Sequence, residues 1–254
     1  MNRILVIGIN SFRENLREKL LYNLVLFALL IIGSSILLSR LHLGDDSRLI
    51  LDLGLASMNI FGVLIAIFIG IGLVNKEIEK KTIYTIVSKP VARWEFLVGK
   101  YLGLTITLLV NLLIMLVGFL VVLVIMGVGI DLLLFKAVLL IFMELMVITA
   151  VALLFSTFTT TTLSAIFTLA VYVIGHLTGD LKALGAKVDG ANHTILTGLY
   201  YVMPNLENFN LKARVIYHLD IAASELALVL MYGLLYTAVL LLVAAGIFHR
   251  RDFR

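Results

Sequence analysis

The sequence predicts an all-α polytopic membrane protein with six transmembrane helices. Three observations carry that prediction. The 254-residue chain is 61% hydrophobic and only 14% charged. A soluble domain is about 45–50% apolar and about 25% charged, so this chain has too few polar side chains to cover a water-facing surface. Its apolar residues fall into six long runs, on the scale of the ~20 residues that cross a ~30 Å hydrocarbon core. The runs lack the period-2 alternation of barrel strands, and the chain has only two prolines. Helices, which satisfy their backbone internally, fit this pattern better than an outer-membrane barrel.

The spans cover roughly 21–39, 54–74, 101–127, 133–156, 162–178 and 226–248, and residues 1–254 read as one membrane domain. The first run begins near Leu20 and exceeds the ~7–15 residues of a signal-peptide core, so no cleaved leader is expected. Ahead of it, 1–20 read as an amphipathic helix. Leu5, Ile9, Phe12, Leu16 and Leu20 share one side, and Arg13, Glu14, Arg17 and Glu18 the other. Such a segment is either an interfacial helix or a basic topological anchor.

Charge sets the direction of the spans. With the N-terminus in the cytoplasm, Arg3, Arg13, Arg17, Lys19, six basic residues of 75–100, Arg250, Arg251 and Arg254 are cytoplasmic, thirteen of the 20 Lys and Arg. This is the positive-inside pattern, and it places both termini on the cytoplasmic side of an inner membrane. The uncharged stretch Ser156–Thr162 joins the fourth and fifth spans there, either packed on protein or as a capped hairpin. The opposite side carries a long extracytoplasmic segment, 179–225. Its apolar stretches Ile195–Val202 and Val215–Ile221 are too short to span, which suits re-entrant or interfacial elements.

Loop 75–100 concentrates charge between the second and third spans: Lys76, Lys80, Lys81, Lys89, Arg93 and Lys100, three acids, and the only tryptophan. From Asn75 to Val87 it reads as a helix. Glu77 precedes Lys81 by four, and Ile78, Thr82 and Ile86 share a face with Ile83 and Val87 beside it. Pro90 ends that helix. A second short amphipathic piece is expected after it, with Trp94, Phe96 and Leu97 at the interface and Arg93, Glu95 and Lys100 facing water. The elbow either docks a cytoplasmic protein or is a solvated loop obeying the positive-inside rule.

Enzymatic chemistry is not expected. The only Gly-Lys, Gly99-Lys100, lacks the upstream glycine of a phosphate-binding loop. There is no His-Glu-x-x-His, no Gly-x-Ser-x-Gly and no cysteine, and the five histidines lack ligand spacing, so no metal or catalytic residue is assigned. The scattered basic residues give no reason to expect nucleic acid. Inside the spans, Glu144 is a functional candidate by default. It would contact substrate or a gate, pair with Lys136 or a group on another helix, or be protonated and simply hydrogen-bonded. Asn59 and Asn111 are expected to bond between helices, with substrate or gate contact as the alternative, and Gly99-x-x-x-Gly103 and Gly175-x-x-x-Gly179 permit close approach.

The run Glu77-x-Glu79-x-x-Thr82-Ile83, then Lys89-Pro90-Val91-x-Arg93-x-Glu95-Phe96-x-x-Gly99-Lys100, resembles the loop after the second span in permeases of type-2 ATP-binding-cassette exporters. Pro204-Asn205 to Phe209, Leu235-Tyr236 and the ending Phe248-His249-Arg250-Arg251-Asp252-Phe253 are similar too. The resemblance covers the whole chain in layout and is nearest the subgroup related to copper-enzyme maturation. It implies that 75–100 is a coupling helix. Glu77, Glu79, Lys80, Lys81, Thr82 and Ile83 would dock on an ATPase subunit, with Pro90 at the break and Arg93 and Glu95 bracing the elbow. It also implies two permease chains, identical or paralogous, with two ATPase chains that bind the ATP and Mg. The alternatives are an ion-gradient-driven transporter around Glu144 and a membrane scaffold recruiting a cytoplasmic protein.

Overall fold

The computed structural model describes residues 3–39, 46–79, 92–185 and 191–250. The described residues are helical, in the order α1 (Arg3–Asn15), α2 (Lys19–Ser39), α3 (Asp46–Glu79), α4 (Arg93–Met126), α5 (Leu132–Ser156), α6 (Thr161–His176), α7 (Thr178–Gly185), α8 (Ala191–Val202), a 3-10 turn (Leu206–Phe209), α9 (Lys212–Ile216) and α10 (Ala223–Arg250). Among them α2, α3, α4, α5 and α10 are long and apolar enough to cross a bilayer, and α6 and α7 reach that length and apolarity only when taken together as one bent pair. The protein is therefore an all-helical, multi-pass membrane protein.

Helices α3 and α4 each run for 34 residues. At about 1.5 Å per residue each is about 50 Å long, about 20 Å more than the hydrocarbon core. The extra length corrects two expected boundaries. Helix α3 starts at Asp46 rather than near 54, because Ile50, Leu51 and Leu55 pack inside the bundle despite Arg48 and Asp52 beside them. Helix α4 starts at Arg93 rather than near 101 and absorbs the short amphipathic piece expected there. Trp94 is exposed, but Phe96, Leu97 and Lys100 are buried, so Lys100 does not face water. Gly127, at φ 66°, ends α4 in the left-handed conformation a side chain would strain.

The expected span 162–178 is broken. Helices α6 and α7 meet at a bend of 65°. Leu177 turns the chain there, and Thr178 Oγ1 donates to the Gly175 carbonyl at 3.1 Å, satisfying an acceptor that the ending helix leaves free. Beyond the bend, the expected extracytoplasmic segment folds back onto the bundle. Leu206, Phe209, Leu211, Val215 and Ile221 are buried against it. Arg214 holds Glu225 with two bonds of 2.9 and 2.6 Å, fixing α9 to the start of α10. Lys136, a candidate partner for Glu144, lies instead 3.8 Å from Asp220.

Helix α1 runs beside the first half of α4, in the same direction. Arg3 lies 3.9 Å from Glu95, Gly8 nests between Gly99 and Gly103, and Asn15 donates to Thr107 Oγ1 at 3.2 Å. The face of α1 turned inward is small and polar: Gly8, Ser11 and Asn15. Its apolar side chains Leu5 and Ile9 point outward, as a helix in the membrane interface requires. The Gly99-x-x-x-Gly103 pattern thus serves α1, and Gly175 receives Leu206 and Pro204.

The glycine contact makes a test. A Cβ at position 103 would stand 2.5 Å from the Gly8 carbonyl oxygen and 2.7 Å from Ser11 Cβ, whereas one on Gly33 would meet nothing within 4 Å. Gly103→Ala should cost about 1–3 kcal/mol, in the range of overpacking. It should lower the thermal midpoint in detergent and expose α1 to protease, while Gly33→Ala leaves both unchanged.

Candidate functional site

Two clusters of polar side chains stand out. The first lies at the bundle end where α3 finishes and α4 begins. Arg93, in the first turn of α4, donates from one guanidinium nitrogen to the carbonyls of Phe248 at 3.2 Å and His249 at 3.0 Å. These carbonyls are at the C-terminus of α10, where orphan acceptors and the helix dipole both favour a cation. Phe96, one turn on, stacks on Phe248 with centroids 6.2 Å apart. Glu95 Oε2 accepts from the Ala92 amide at 3.0 Å and so closes the start of α4. An alanine at the N-cap cannot return that bond, so the cap is one-sided.

Lys100 completes the cluster. Its ammonium is 3.2 Å from Glu14 Oε2 of α1 and 5.8 Å from the Phe96 ring centroid. A buried cation is stable only when paired and stacked in this way. The start of α4 is therefore tied to α1 through Glu95 and Lys100 and to α10 through Arg93 and Phe96. Of the residues implied for docking, Lys80, Lys81, Thr82, Ile83 and Pro90 lie outside the described residues. So do the side chains of Glu77 and Glu79, whose backbone ends α3. Arg93 and Glu95 are described, and both hold neighbouring helices.

The second cluster is inside the bundle. Glu144, midway along α5, is completely buried. Its Oε2 accepts from Asn59 Nδ2 of α3 at 2.6 Å. Asn59 Oδ1 in turn accepts from the Tyr172 hydroxyl of α6 at 2.9 Å. His176 Nε2, one turn past Tyr172 on the same face, is 3.4 Å from Glu144 Oε1. A single asparagine thus uses both ends of its amide to join a carboxyl and a phenol on two other helices. The 3-10 turn and α9, which pack against α5, carry Glu207 and Lys212.

Asn59 is an interhelical bridge, as expected. Asn111 is not one through its amide nitrogen, which donates to the Thr107 carbonyl of its own helix at 2.7 Å. Glu144 finds its partners on α3 and α6 rather than at Lys136. Sequence reasoning missed Tyr172 and His176. A signal was available: two polar rings four residues apart in an apolar run share one helix face. No cluster of His, Cys, Asp and Glu fit to hold a metal occurs among the described residues.

Replacing Asn59 by leucine should strand both Glu144 Oε2 and the Tyr172 hydroxyl, whereas Tyr172→Phe removes one donor only. Interhelical bonds in membranes average about 0.6 kcal/mol and reach about 1.7. Asn59→Leu should therefore cost about 1–2 kcal/mol and Tyr172→Phe about 0.6, less than additively in the double variant, as measured by unfolding in mixed micelles.

No protein of curated function matches the chain. The profile of the family described as ABC-2 family transporter protein matches residues 5–253, nearly the whole chain and all of its described helices from α2 onward. The chain belongs to the ABC-2 transporter family and is a membrane component of an ABC transporter.

Proposed function

We propose that this protein is the permease subunit of an ABC exporter, driven by ATP that a separate subunit hydrolyses. The observation that carries this reading is the tied base of α4. The elbow 75–100 joins two helices that overrun the bilayer core by about 20 Å each. One arm, the start of α4, is fastened to α1 by the Lys100–Glu14 pair and to α10 by Arg93. A push on the elbow would therefore move α4, α1 and α10 together rather than bend a free loop. Such a rigid body biased by a partner's nucleotide state is what two-state coupling requires.

In this reading Glu77, Glu79, Lys80, Lys81, Thr82 and Ile83 form the docking face, and Pro90 sets the break. The N- and C-termini and the elbow lie in the cytoplasm, following the positive-inside bias, and the membrane is the cytoplasmic one. The described residues supply at most six spans. Two permease chains, identical or paralogous, would pair with two ATPase chains that bind the ATP and Mg.

The test is purification of the tagged chain from its native host in mild detergent. Wild type should bring a stoichiometric ATP-hydrolysing subunit. Glu79→Arg with Lys81→Glu should reduce its recovery roughly tenfold or more, the effect of losing ~1.4 kcal/mol of contact. A wild-type chain that emerges alone under gentle extraction would overturn the reading.

A further inference from the structure

We infer that Glu144 and His176 together bind a single proton inside the bundle, and that this proton latches the last turn of α6 to α5. The inference goes beyond ATP-driven transport and does not depend on it. It starts from the hydrogen-bond roles of the imidazole. His176 Nδ1 lies 3.1 Å from the Tyr172 carbonyl oxygen. A carbonyl can only accept, so Nδ1 carries a hydrogen. In a neutral ring with that tautomer, Nε2 is an acceptor with no hydrogen.

Nε2 nevertheless lies 3.4 Å from Glu144 Oε1. That oxygen is buried and has no hydrogen-bond partner, while Oε2 is already engaged by Asn59. A carboxylate oxygen and a neutral Nε2 are both lone-pair acceptors, and they repel at this separation. One added proton resolves the conflict. Placed on Nε2 it makes an imidazolium facing a carboxylate. Placed on Oε1 it makes a carboxylic acid facing a neutral ring. Either way the two residues hold one proton between them as a coupled pair.

The surroundings fit a single exchangeable proton. Glu144 is shut inside the bundle, whereas the His176 side chain is 25% exposed at the end of α6. The elements packed around the pair bring few other charges. Helix α3 contributes neutral Asn59, α6 the Tyr172 phenol and α4 the Tyr101 phenol, while the 3-10 turn and α9 packed on α5 carry Glu207 and Lys212. Helix α10 brings Gly233 against Met143 on α5, and the hydroxyl of its Tyr232 accepts from the Asn205 amide. The acid and base of the segment beyond α7 offset each other in sign, leaving the pair's own proton to decide its charge.

The mechanical consequence is local. His176 is the last residue of α6, directly before the 65° bend. With the proton, the pair ties this end to α5. Without it, attraction becomes repulsion at the pivot of the broken span.

The test uses the full-length chain in lipid nanodiscs. Losing the proton turns the pair's attraction into repulsion in the folded chain alone, so the wild-type thermal midpoint should fall as pH rises past the point where the pair gives its proton up. Glu144→Gln carries its hydrogen permanently: the amide N–H serves Nε2 and the amide oxygen serves Asn59. Its midpoint should stay flat over the same range, and Asp52→Asn, at an exposed site on α3, should keep the wild-type decline. A Glu144→Gln profile that declines like wild type overturns the proposal, as does a flat wild-type profile. Should Glu144→Gln fail to accumulate, 15N-histidine spectra of wild type decide, with His176 assigned by its loss in His176→Gln. Nδ1 protonated at every pH, with Nε2 changing in step with the Glu144 carboxyl infrared band, is expected. A His176 ring protonated at Nε2 alone overturns it.

Discussion

A carboxyl group buried in the middle of a membrane-embedded bundle must be satisfied by its own chain, because lipid offers no partner. Glu144 imposes that constraint here, and the centre of the fold is arranged around it. Asn59 reaches it from α3, and Tyr172 and His176 close around it from α6. Three helices that share no loop contact at this depth are thereby fixed in register, since shifting any one by a turn, about 5.4 Å, would leave a buried polar group orphaned. Hydrophobic burial cannot do this work in a bilayer, where lipid tails are as apolar as leucine.

Elsewhere the fold relies on close approach instead. Gly8 meets Gly99 and Gly103, Gly54 receives the Phe119 ring, and Gly62 receives Leu145. Small residues at these points let dispersion accumulate over many short contacts, which is the main non-polar attraction left between helices in lipid. At the elbow end both devices meet. The glycine seam brings α1 against α4, and Lys100, Glu14 and Arg93 then add charge-assisted bonds where the bundle leaves the apolar core. Arg93 suits its place because a guanidinium can serve two carbonyls of a helix end at once.

Much of this was legible in the sequence. Composition and run length predict the helical class and the spans, since a bilayer sets both requirements independently of packing. Boundaries were less legible. Asp52, Arg48 and Glu95 look like the ends of spans, but charge marks where a bilayer stops, not where a helix stops, and α3 and α4 continue well past it. The break after His176 has no proline, and Gly175 beside it packs against Leu206 and Pro204, some thirty residues away. Glu144, Asn59 and Asn111 were readable as positions, because polar side chains are conspicuous among Leu and Val. Their partners were not, since pairing depends on which helix faces meet. Lys100 shows the same limit: its charge suggested water, and only the approach of Glu14 and Phe96 makes its burial tolerable.

The two polar clusters are joined by the helices themselves. Helix α3 carries Asn59 near its middle and ends at the elbow. Helix α5 carries Glu144 and touches α3 along Gly62 and Gly70, through Leu145 and Ala152. The Tyr101 hydroxyl of α4 also donates to the Met146 carbonyl, only two residues beyond Glu144, at 3.2 Å. A displacement of the elbow base would thus arrive at the Glu144 cluster through two rigid helices and one interhelical bond. Packed interiors pass such movements on as shifts between discrete arrangements rather than by gradual deformation. The Asn59 bridge, holding a carboxyl and a phenol by opposite ends of one amide, has few intermediate geometries in which both bonds survive. The centre of the bundle is therefore suited to change state as a unit when its end is moved.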